Sequence, residues 1–369
     1  MEGFEEVFEE LEDPRSGNAK LHSLHEVLVI ALCTMVCGGE TCADMALFGR
    51  SKREFLQQFL RLEHGIPSHD TFSRVFRLLD PERFHTWFLG FMGRFAETCQ
   101  GVIAIDGKTL RRSFDRASAA SPLHLVSAWA VDQRLVLGQV AVDDKSNEII
   151  AVPKLLELLS LTGRTVTADA MSCQRKIARQ VIDQAGDYVL ALKANQETLH
   201  DDVRRFLDDP ETPLASASET DKGHGRIEIR TASLSADIAW LQDDHDWPGL
   251  KAVGKITASR EIDGRTSLDT RYYVLSKAMT PEAFNATVRS HWGIENRLHW
   301  VLDVIMDEDQ ARNRKDHGAQ NLALLRKLAL NLAKIEPSKA SMRGKLKQAG
   351  WDNAFLAQIL SQFANLQMR

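Results

Sequence analysis

VIAIDG, residues 102–107, is a short apolar run that ends in an aspartate and a glycine, the pattern of a buried strand followed by a turn. Two further apolar runs, HLVSAWAVD (124–132) and LVLGQVAVD (135–143), are separated by two residues and predict an antiparallel hairpin. Helical and strand-like patterns then alternate, over 148–161, 164–171, 173–186 and 187–194. This order of elements predicts an α/β fold, with a mixed sheet and helices packed against it.

Between about residues 196 and 276 the pattern changes. Strand-like alternation is present in GRIEIRTASL (225–234), GKITASREID (254–263) and SLDTRYYVLS (267–276). The stretch before them, ETPLASASETDKGHGR (211–226), is polar and loop-like. We therefore expect a β-rich insertion within an α/β domain that spans 99–335.

Helical patterns occupy both ends of the chain. The predicted N-terminal domain, 1–98, is all-helical, with helices over 24–36, 42–60 and 81–97 and a fourth that begins at Ser68. Exposed arginines on the helix after Ser68 fit either a DNA-binding module of the helix-turn-helix type or the solvated face of a support domain. Both interpretations stay open. Residues 336–369 are expected to form a helical tail.

The composition excludes several classes of protein. With 44% hydrophobic and 26% charged residues among 369, the chain is expected to be globular rather than disordered. Its longest apolar run, 27–37, is shorter than the roughly 20 residues that a membrane span needs. The N-terminus, MEGFEEVFEE, is acidic where a secretory signal is basic, so we expect a cytoplasmic protein without membrane contact. The net charge of −5 argues against a uniformly basic nucleic-acid binder but permits local basic surface.

The five cysteines do not form a recognisable framework. An odd number in a large chain argues against disulfides, and no histidines stand at zinc spacing from them. We expect buried, unreactive thiols.

Two aspartates follow predicted strands of the same sheet. Asp106 ends the first strand, and Asp169 follows the run TVTA (165–168). Each has an ordinary alternative, because aspartate is common before glycine in turns and at helix N-caps. The carboxyl ends of sheet strands are nevertheless where α/β sites are commonly built. Together the two side chains would be able to share a divalent metal ion.

Glu295 falls within an apolar stripe of a predicted helix that is formed by Phe284, Val288, Trp292, Leu298, Leu302 and Ile305. Burial of a carboxylate in such a stripe costs on the order of several kcal/mol of desolvation free energy, unless the carboxylate is paired or metal-bound. We favour a metal ligand. Pairing with Arg289 or Arg297, or a position at the wet edge of the stripe, are the alternatives.

Two strand-end aspartates and a helix glutamate would form an oxygen-only site, which suits Mg²⁺ or Mn²⁺ better than zinc. Two such ions would activate an attacking oxygen and stabilise the leaving oxygen in phosphodiester cleavage or transfer. The sequence has no glycine pattern of a nucleotide-binding loop, so nucleotide hydrolysis has no support.

The chain resembles the DDE transposases of bacterial insertion sequences, in particular the ISAs or H-repeat-associated family. The matching segments, in order, are DPRSGNAKLHSLHEVLVIAL (13–32), GIPSHDTFSRVF (65–76), VIAIDGKTLRRSFD (102–115), DDKSNEI (143–149), TVTADAMSCQRKIARQVI (165–182), DYVLALKANQ (187–196), KGHGRIEIR (222–230), YYVLS (272–276) and HWGIENRLHWVLDVIMDEDQARNR (291–314). Their number and order make the resemblance specific.

The resemblance implies an RNase H-like core whose β-rich insertion precedes the last acidic residue. It implies that Asp106, Asp169 and Glu295 are catalytic and hold Mg²⁺ or Mn²⁺, two ions in all. It also implies cutting of double-stranded DNA at transposon ends and joining of the freed 3′ hydroxyl to target DNA, by a chain that we expect to be a homodimer. A DNA nuclease that does not join strands, and a non-catalytic DNA-binding derivative, are the rival functions.

The sequence departs from the wider DDE group on the last catalytic helix. Related transposases often carry tyrosine, arginine, glutamate and lysine at fixed spacing, where this chain has Val288, His291, Glu295 and Leu302. His291 and His299 are therefore expected to contact phosphate, unless they are ordinary half-buried helix histidines.

Basic residues near the predicted site are candidates for contact with the DNA backbone, although each would also fit a solvated surface. They are Lys108, Arg111, Arg112, Arg312 and Arg314. Weaker candidates for DNA contact or for support of the site are Asn147, Glu148, Lys193, Gln196, His224 and Arg226.

Overall fold

The structure, a computed structural model, describes residues 7–96, 99–114, 121–142, 147–223, 226–262 and 265–364. Among the candidate residues, His224 and the side chain of Arg226 lie outside this set. None of the helices within these ranges combines the length and the apolar character that a membrane crossing requires.

Five helices form the N-terminal region: α1 (Leu24–Val36), α2 (Cys42–Ser51), α3 (Arg53–Leu56), α4 (His69–Leu78) and α5 (Pro81–Ala96). Serine side chains cap α1 and α4, since Ser23 accepts from the Glu26 backbone N–H and Ser68 from that of Thr71. The predicted single helix over 42–60 is wrong. The backbone of Lys52 leaves the helical region (φ −110°, ψ 20°), so α2 ends and α3 begins there.

The predicted mixed sheet is confirmed. Its first part contains β1 (Val102–Thr109), β2 (His124–Ala130), β3 (Leu135–Val142), β4 (Thr165–Ala168) and β5 (Asp187–Leu192). β2 and β3 form the expected hairpin, β1 pairs antiparallel with β2, and β1, β4 and β5 run parallel. The two expected helices lie between strands in the chain, as α6 (Glu148–Glu157) and α7 (Arg175–Asp183).

The insertion after β5 is β-rich, as the sequence predicted, but it also holds two helices that the sequence pattern did not predict. It contains α8 (Glu197–Asp208), β6 (Ala215–Gly223), β7 (Arg226–Ser235), α9 (Ala239–His245), β8 (Ala252–Ile262) and β9 (Arg265–Leu275). The expected loop over 211–226 is wrong, because most of it is strand β6. β6 lies at the sheet edge, where its polar side chains meet water, so it lacks the apolar alternation that marks a strand.

The insertion extends the core sheet rather than forming a separate one. β9 pairs antiparallel with β5, and the nine strands follow the order β3-β2-β1-β4-β5-β9-β8-β7-β6. A run of helical elements completes the chain: α10 (Pro281–His291), a π-helical segment (Ile294–His299), α11 (Trp300–Val304), α12 (Gly318–Ile335), α13 (Met342–Trp351) and α14 (Asn353–Ala364). The last two lie within 336–369, where a helical tail was expected.

Helices cover both faces of the first part of the sheet. Ile103 and Ile105 of β1 belong to a core shared with α6 and α7, whereas Ala104 belongs to a core shared with the π-helical segment, α11 and α12. Because successive side chains of a strand point to opposite faces, Asp106 faces the same side as Ala104. The fold thereby directs Asp106 toward the C-terminal helical elements.

The cysteines match the expectation of unreactive thiols. Four are buried and Cys37 is half-buried. Burial raises the pKa of Cys37 and of Cys173 to about 12, and that of Cys42 to about 11. These thiols therefore stay protonated, and poorly nucleophilic, at neutral pH.

Candidate active site

Two neighbouring strands bring Asp106 and Asp169 to the same part of the sheet. β1 and β4 run parallel with Ile105 opposite Ala168, so the next residue on each chain segment is an aspartate. Asp169 also has the capping role that the sequence left open, because its Oδ1 accepts from the Ser172 backbone N–H at 3.2 Å.

A cleft of about 390 Å³ lies over this part of the sheet. Asp106, Asp169 and Glu295 all line it, together with His291 and Arg271. The cleft thus collects three acidic side chains that lie far apart in the sequence.

The surroundings of Asp106 in the cleft disfavour the charged form of its carboxyl group. Its pKa is raised to about 7, chiefly because burial disfavours the charged form, while the negative charges of Glu148, Glu295 and Asp169 raise it further. The Gly107 backbone N–H acts in the opposite direction. Asp106 is therefore surrounded by like charge, a situation that a bound cation would relieve.

The donor chemistry of these residues fits a hard divalent cation, since every oxygen is a carboxylate oxygen. These side chains do not form a complete set of metal ligands. Among the described residues, no three His, Cys, Asp or Glu side chains are grouped so that they could hold one ion. The carboxylates share a cleft without forming a finished coordination shell.

Glu295 lies in the π-helical segment, and this corrects the predicted stripe. The Trp300 backbone N–H bonds to the Glu295 carbonyl, five residues back, which inserts one residue into the helical repeat. The register of the helix shifts, so Ile294 and Leu298 are buried and Glu295 is exposed. The desolvation argument for Glu295 was therefore wrong, and the wet-edge alternative is the one observed.

Neither arginine offered as a partner for Glu295 is paired with it. Arg289 makes ion pairs with Glu219 and Asp221, and Arg297 has no ion-pair partner within the described ranges. The Glu295 carboxylate is consequently left accessible from the cleft.

The two histidines one turn from Glu295 pack against the protein. His299 Nδ1 lies 3.5 Å from Asp106 Oδ2, and His291 Nδ1 lies 3.1 Å from the Thr167 hydroxyl. Burial lowers the pKa of both rings, that of His299 to about 3 with help from Lys327 and Lys108. Both are neutral at pH 7 and match the alternative of half-buried helix histidines rather than cationic phosphate contacts.

Lys108 differs from its predicted role as a backbone-gripping cation. Its amine bonds to the carboxylates of Asp303 and Glu308, the latter at 2.5 Å, and lies 3.7 Å from Asp309. The side chain is 11% exposed. Lys108 is thus a largely buried ion-pair residue that ties β1 to α11 and to the turn that follows it, and its amine is already committed.

The other basic candidates lie nearer the surface. Arg111 is 83% exposed and 3.5 Å from Asp309, and Arg112 and Arg312 are exposed. Arg314 is half-buried, donates to the Arg112 carbonyl and stacks on the Phe114 ring. These four side chains remain candidates for contact with a polyanion.

Glu148, only a weaker candidate from the sequence, lies close enough to the site for its charge to raise the pKa of Asp106. It begins α6, and its Oε1 lies 2.7 Å from His124 Nε2, while His124 Nδ1 bonds to the Thr109 hydroxyl. No local sequence pattern marks Glu148, because only folding places it and His124 directly over the backbone of Gly107. A Cβ at Gly107 would overlap both Glu148 Oε1 and His124 Nε2.

Gly107→Ala is expected to displace the Glu148–His124 pair and to lower the free energy of unfolding by about 1–3 kcal/mol, the usual cost of overpacking. Gly90 in α5 is the matched control, since nothing lies within 4 Å of its added Cβ. There the same change should stabilise the helix by about 1 kcal/mol. Urea unfolding of the two variants measures the difference, and equal stability would refute the close approach.

Comparison with known proteins places the chain in a family. Residues 97–332 match the family model described as "Transposase DDE domain", and residues 5–92 match that described as "DDE_Tnp_1-associated". The "H repeat-associated putative transposase YhhI" of Escherichia coli strain K12 is 36% identical over 353 residues, which is 92% of this chain and 93% of that protein. The chain belongs to the H-repeat-associated family of DDE transposases.

Other relatives agree with this membership. "Putative transposase YncI" of Escherichia coli O157:H7 is 34% identical over 97% of this chain and 94% of its own length. An "uncharacterized protein in dhlA 3′ region" of Xanthobacter autotrophicus is 45% identical over 74% of this chain and 94% of its own length. Asp106, Asp169 and Glu295 all fall inside the segment that matches the DDE domain.

Proposed function

We propose that this chain is a DNA transposase that cuts phosphodiester bonds at transposon ends and joins the freed ends to target DNA. The observation that carries the proposal is the single cleft lined by Asp106, Asp169 and Glu295, in which Asp106 sits among other carboxylates. A site that gathers negative charge and must also accept phosphate is suited to divalent cations.

We propose two Mg²⁺ or Mn²⁺ ions, with Asp106, Asp169 and Glu295 as the residues that would hold them. Such ions supply charge stabilisation for the attacking and leaving oxygens. Glu295 is exposed and free of an arginine partner among the described residues, so its side chain has room to turn toward Asp106. That freedom supports closure of the ligand set on binding.

The chain's own residues would orient this chemistry. His299 is neutral and lies against one Asp106 oxygen, which fixes the carboxylate without competing for it as a strong ion pair would. Water would be the first nucleophile and the freed 3′ hydroxyl the second, both admitted through the same open cleft. Arg271, at the cleft wall, is placed to neutralise phosphate.

The architecture supports the RNase H-like arrangement that we also propose. A hairpin at one edge, parallel β1, β4 and β5, and helices on both faces agree with it. Because two ends must be joined, we propose a homodimer, with Arg111, Arg112, Arg312 and Arg314 as candidate backbone contacts.

The decisive experiment uses the full chain and a DNA fragment that carries both ends of its element. With Mg²⁺ we expect cleavage at the ends and strand-transfer products, and with EDTA neither. Cleavage without joining would instead favour a nuclease, and binding without either reaction would favour a non-catalytic derivative. Gel resolution of labelled 5′ and 3′ strands distinguishes the three outcomes.

A further inference from the structure

A groove lined by arginines lies beside the catalytic cleft. Its cavity is about 780 Å³, and two carboxylates, those of Asp132 and Glu228, share the lining. The five arginines are Arg230, Arg260, Arg271, Arg289 and Arg297. On a chain whose net charge is −5, this lining is a local excess of positive charge.

Strand register explains why three of these side chains share one face. Arg260 stands opposite Glu228, Arg230 opposite Ala258, and Arg271 opposite Ile256, so all three project from neighbouring strands to the same side of the insertion sheet. α10 packs on β7 on this side. Arg289 of α10 and Arg297 of the π-helical segment close the groove from the helical side.

The arginines of the groove differ in how firmly they are neutralised. Arg271 donates to Asp269 at 2.9 Å, where both side chains are partly exposed. Arg230 and Arg260 share one carboxylate, Glu228, at 3.4 and 3.2 Å. Arg289 pairs at 3.2–3.3 Å with Glu219 and Asp221, whose side chains are more than half exposed.

Exposed pairs of this kind are worth about 0–1 kcal/mol, so a phosphate would replace such a carboxylate at small cost. Arg297 has no ion-pair partner in the described part of the chain. Arg289 and Arg297 can therefore accept an anion without first breaking a strong interaction.

The groove is continuous with the catalytic cleft. Arg271 and Trp292 line both cavities, and the Arg271 guanidinium lies 5.0 Å from the centre of the Trp292 ring. The segment that carries Glu295 forms the border between them, since Asn296 and Arg297 face the groove. A chain of phosphates that enters the groove would lead directly to the acidic residues.

We propose that this groove binds the phosphate backbone of the DNA strand that flanks the bond to be cut. The proposal rests on the proposed function and adds the path of the substrate. Arginine guanidinium groups donate paired hydrogen bonds to phosphate oxygens. The groove therefore positions the strand without reading its base sequence.

The test measures binding of the full chain to the end-bearing DNA fragment by fluorescence anisotropy, in EDTA and at salt concentrations between 50 and 200 mM. Over such a range of salt, screening of phosphate contacts lowers the affinity by about tenfold or more. For the double variant Arg289→Ala/Arg297→Ala we expect Kd to rise about tenfold or more. The slope of log K against log salt should become shallower by about 2, roughly 0.9 for each phosphate that the variant no longer neutralises.

Arg204→Ala/Arg205→Ala is the matched control. These exposed arginines lie on α8, which contacts the opposite face of the insertion sheet, where Lys255 bonds to the Leu207 carbonyl. The control removes the same charge and should leave Kd and the salt slope unchanged. Urea unfolding of each variant shows whether it remains folded.

A second double variant predicts an effect of opposite sign. Glu219 and Asp221 compete with phosphate for Arg289, so Glu219→Gln/Asp221→Asn should tighten binding by about threefold or more and steepen the salt slope. If the arginine–carboxylate pairs were only structural, this variant would bind DNA no better than wild type, and the proposal would be overturned.

The remaining outcomes separate this proposal from the proposed function. Suppose that wild type binds and cleaves DNA, and that Arg289→Ala/Arg297→Ala binds it with the same Kd and the same salt slope. The assignment of the groove then fails, while the proposed function stands. If that variant instead loses a dimer seen by sedimentation while Kd for DNA is unchanged, the groove holds another copy of the chain, and the assignment again fails. Absence of cleavage by wild type contradicts the proposed function itself.

Discussion

Asp106→Asn is expected to abolish metal-dependent DNA cleavage, with a loss of about 10³-fold or more in rate, as for other residues essential to a catalytic unit. Asp106 lies between β4 and the π-helical segment and lines the same cleft as Asp169 and Glu295. The amide keeps the shape but loses the charge that a divalent ion needs. Single-turnover cleavage of the end-bearing fragment measures the effect, and full activity would refute the assignment of Asp106.

DNA binding by Asp106→Asn should stay close to wild type, because the variant removes no positive charge. Asp243→Asn, at an exposed position of α9, is the matched control and should cleave normally. Asp169→Ala and Glu295→Ala are expected to behave as Asp106→Asn does. A variant of this set that loses binding along with cleavage would point to a folding defect rather than to catalysis.

The same substitution should stabilise the metal-free protein. The pKa of Asp106 is raised to about 7, so the folded state holds a proton that the unfolded state releases near its ordinary value of 3.8. The free energy of unfolding of wild type should therefore fall as pH rises from about 4 to 7. At pH 8 and in EDTA, Asp106→Asn should be more stable by about 2–4 kcal/mol, a gain that vanishes near pH 4.

Added Mg²⁺ provides the counterpart of this measurement. It should raise the midpoint of urea unfolding of wild type, because an ion that binds only the folded state stabilises it. Asp106→Asn should respond much less. An equal response of both proteins would show that the ion binds elsewhere.

Glu308→Ala is expected to lower the free energy of unfolding by about 3–5 kcal/mol, the cost of removing one partner of a buried ion pair. The Glu308 side chain is fully buried and bonds to Lys108 at 2.5 Å. Positive charge on Lys108, Lys327 and Arg326 holds the pKa of its carboxyl below the usual value against burial. Burial lowers the pKa of Lys327 to about 8. Removal of Glu308 takes away a carboxylate that faces three cations, although Lys108 keeps its ion pairs with Asp303 and Asp309.

Glu12→Ala is the matched control for Glu308→Ala. Glu12 pairs with Arg83, but both side chains are mostly exposed, at 72% and 60%. Its loss should cost about 1 kcal/mol or less. Urea unfolding of both variants at pH 7 makes the comparison, and similar losses would contradict the role of burial.

Local patterns in the chain were sufficient for most of the secondary structure. Helix α1 follows its apolar spacing, helix α4 begins directly after Ser68, and the β2–β3 hairpin follows two apolar runs with a two-residue connection. These signals are short-range, since both periodicity and capping act within a few residues. Asp169 follows β4 as this kind of signal predicted, whereas the predicted strand end at Asp106 is wrong. β1 continues to Thr109 because pairing with β2 extends past Asp106, so Asp106 lies within the strand.

Other features depend on where an element lies in the assembled sheet. β6 is a strand because β7 pairs with it along its whole length, although its own side chains are polar. The π-helical turn at Glu295 differs from an α-helix by one inserted residue, which burial of Ile294 and Leu298 against the core accommodates. Neither effect has a local sequence pattern of its own.

The environment of each charged side chain was set by contacts between distant segments. Lys108 meets Asp303 and Glu308 almost two hundred residues away, which turns a residue that seemed available to DNA into a buried ion pair. Glu148 lies over the backbone of Gly107, where its charge acts on Asp106. The arginine groove forms from three strands and two helical segments. Electrostatic energies depend on burial and on distance through space, and both are properties of the folded chain rather than of residue order.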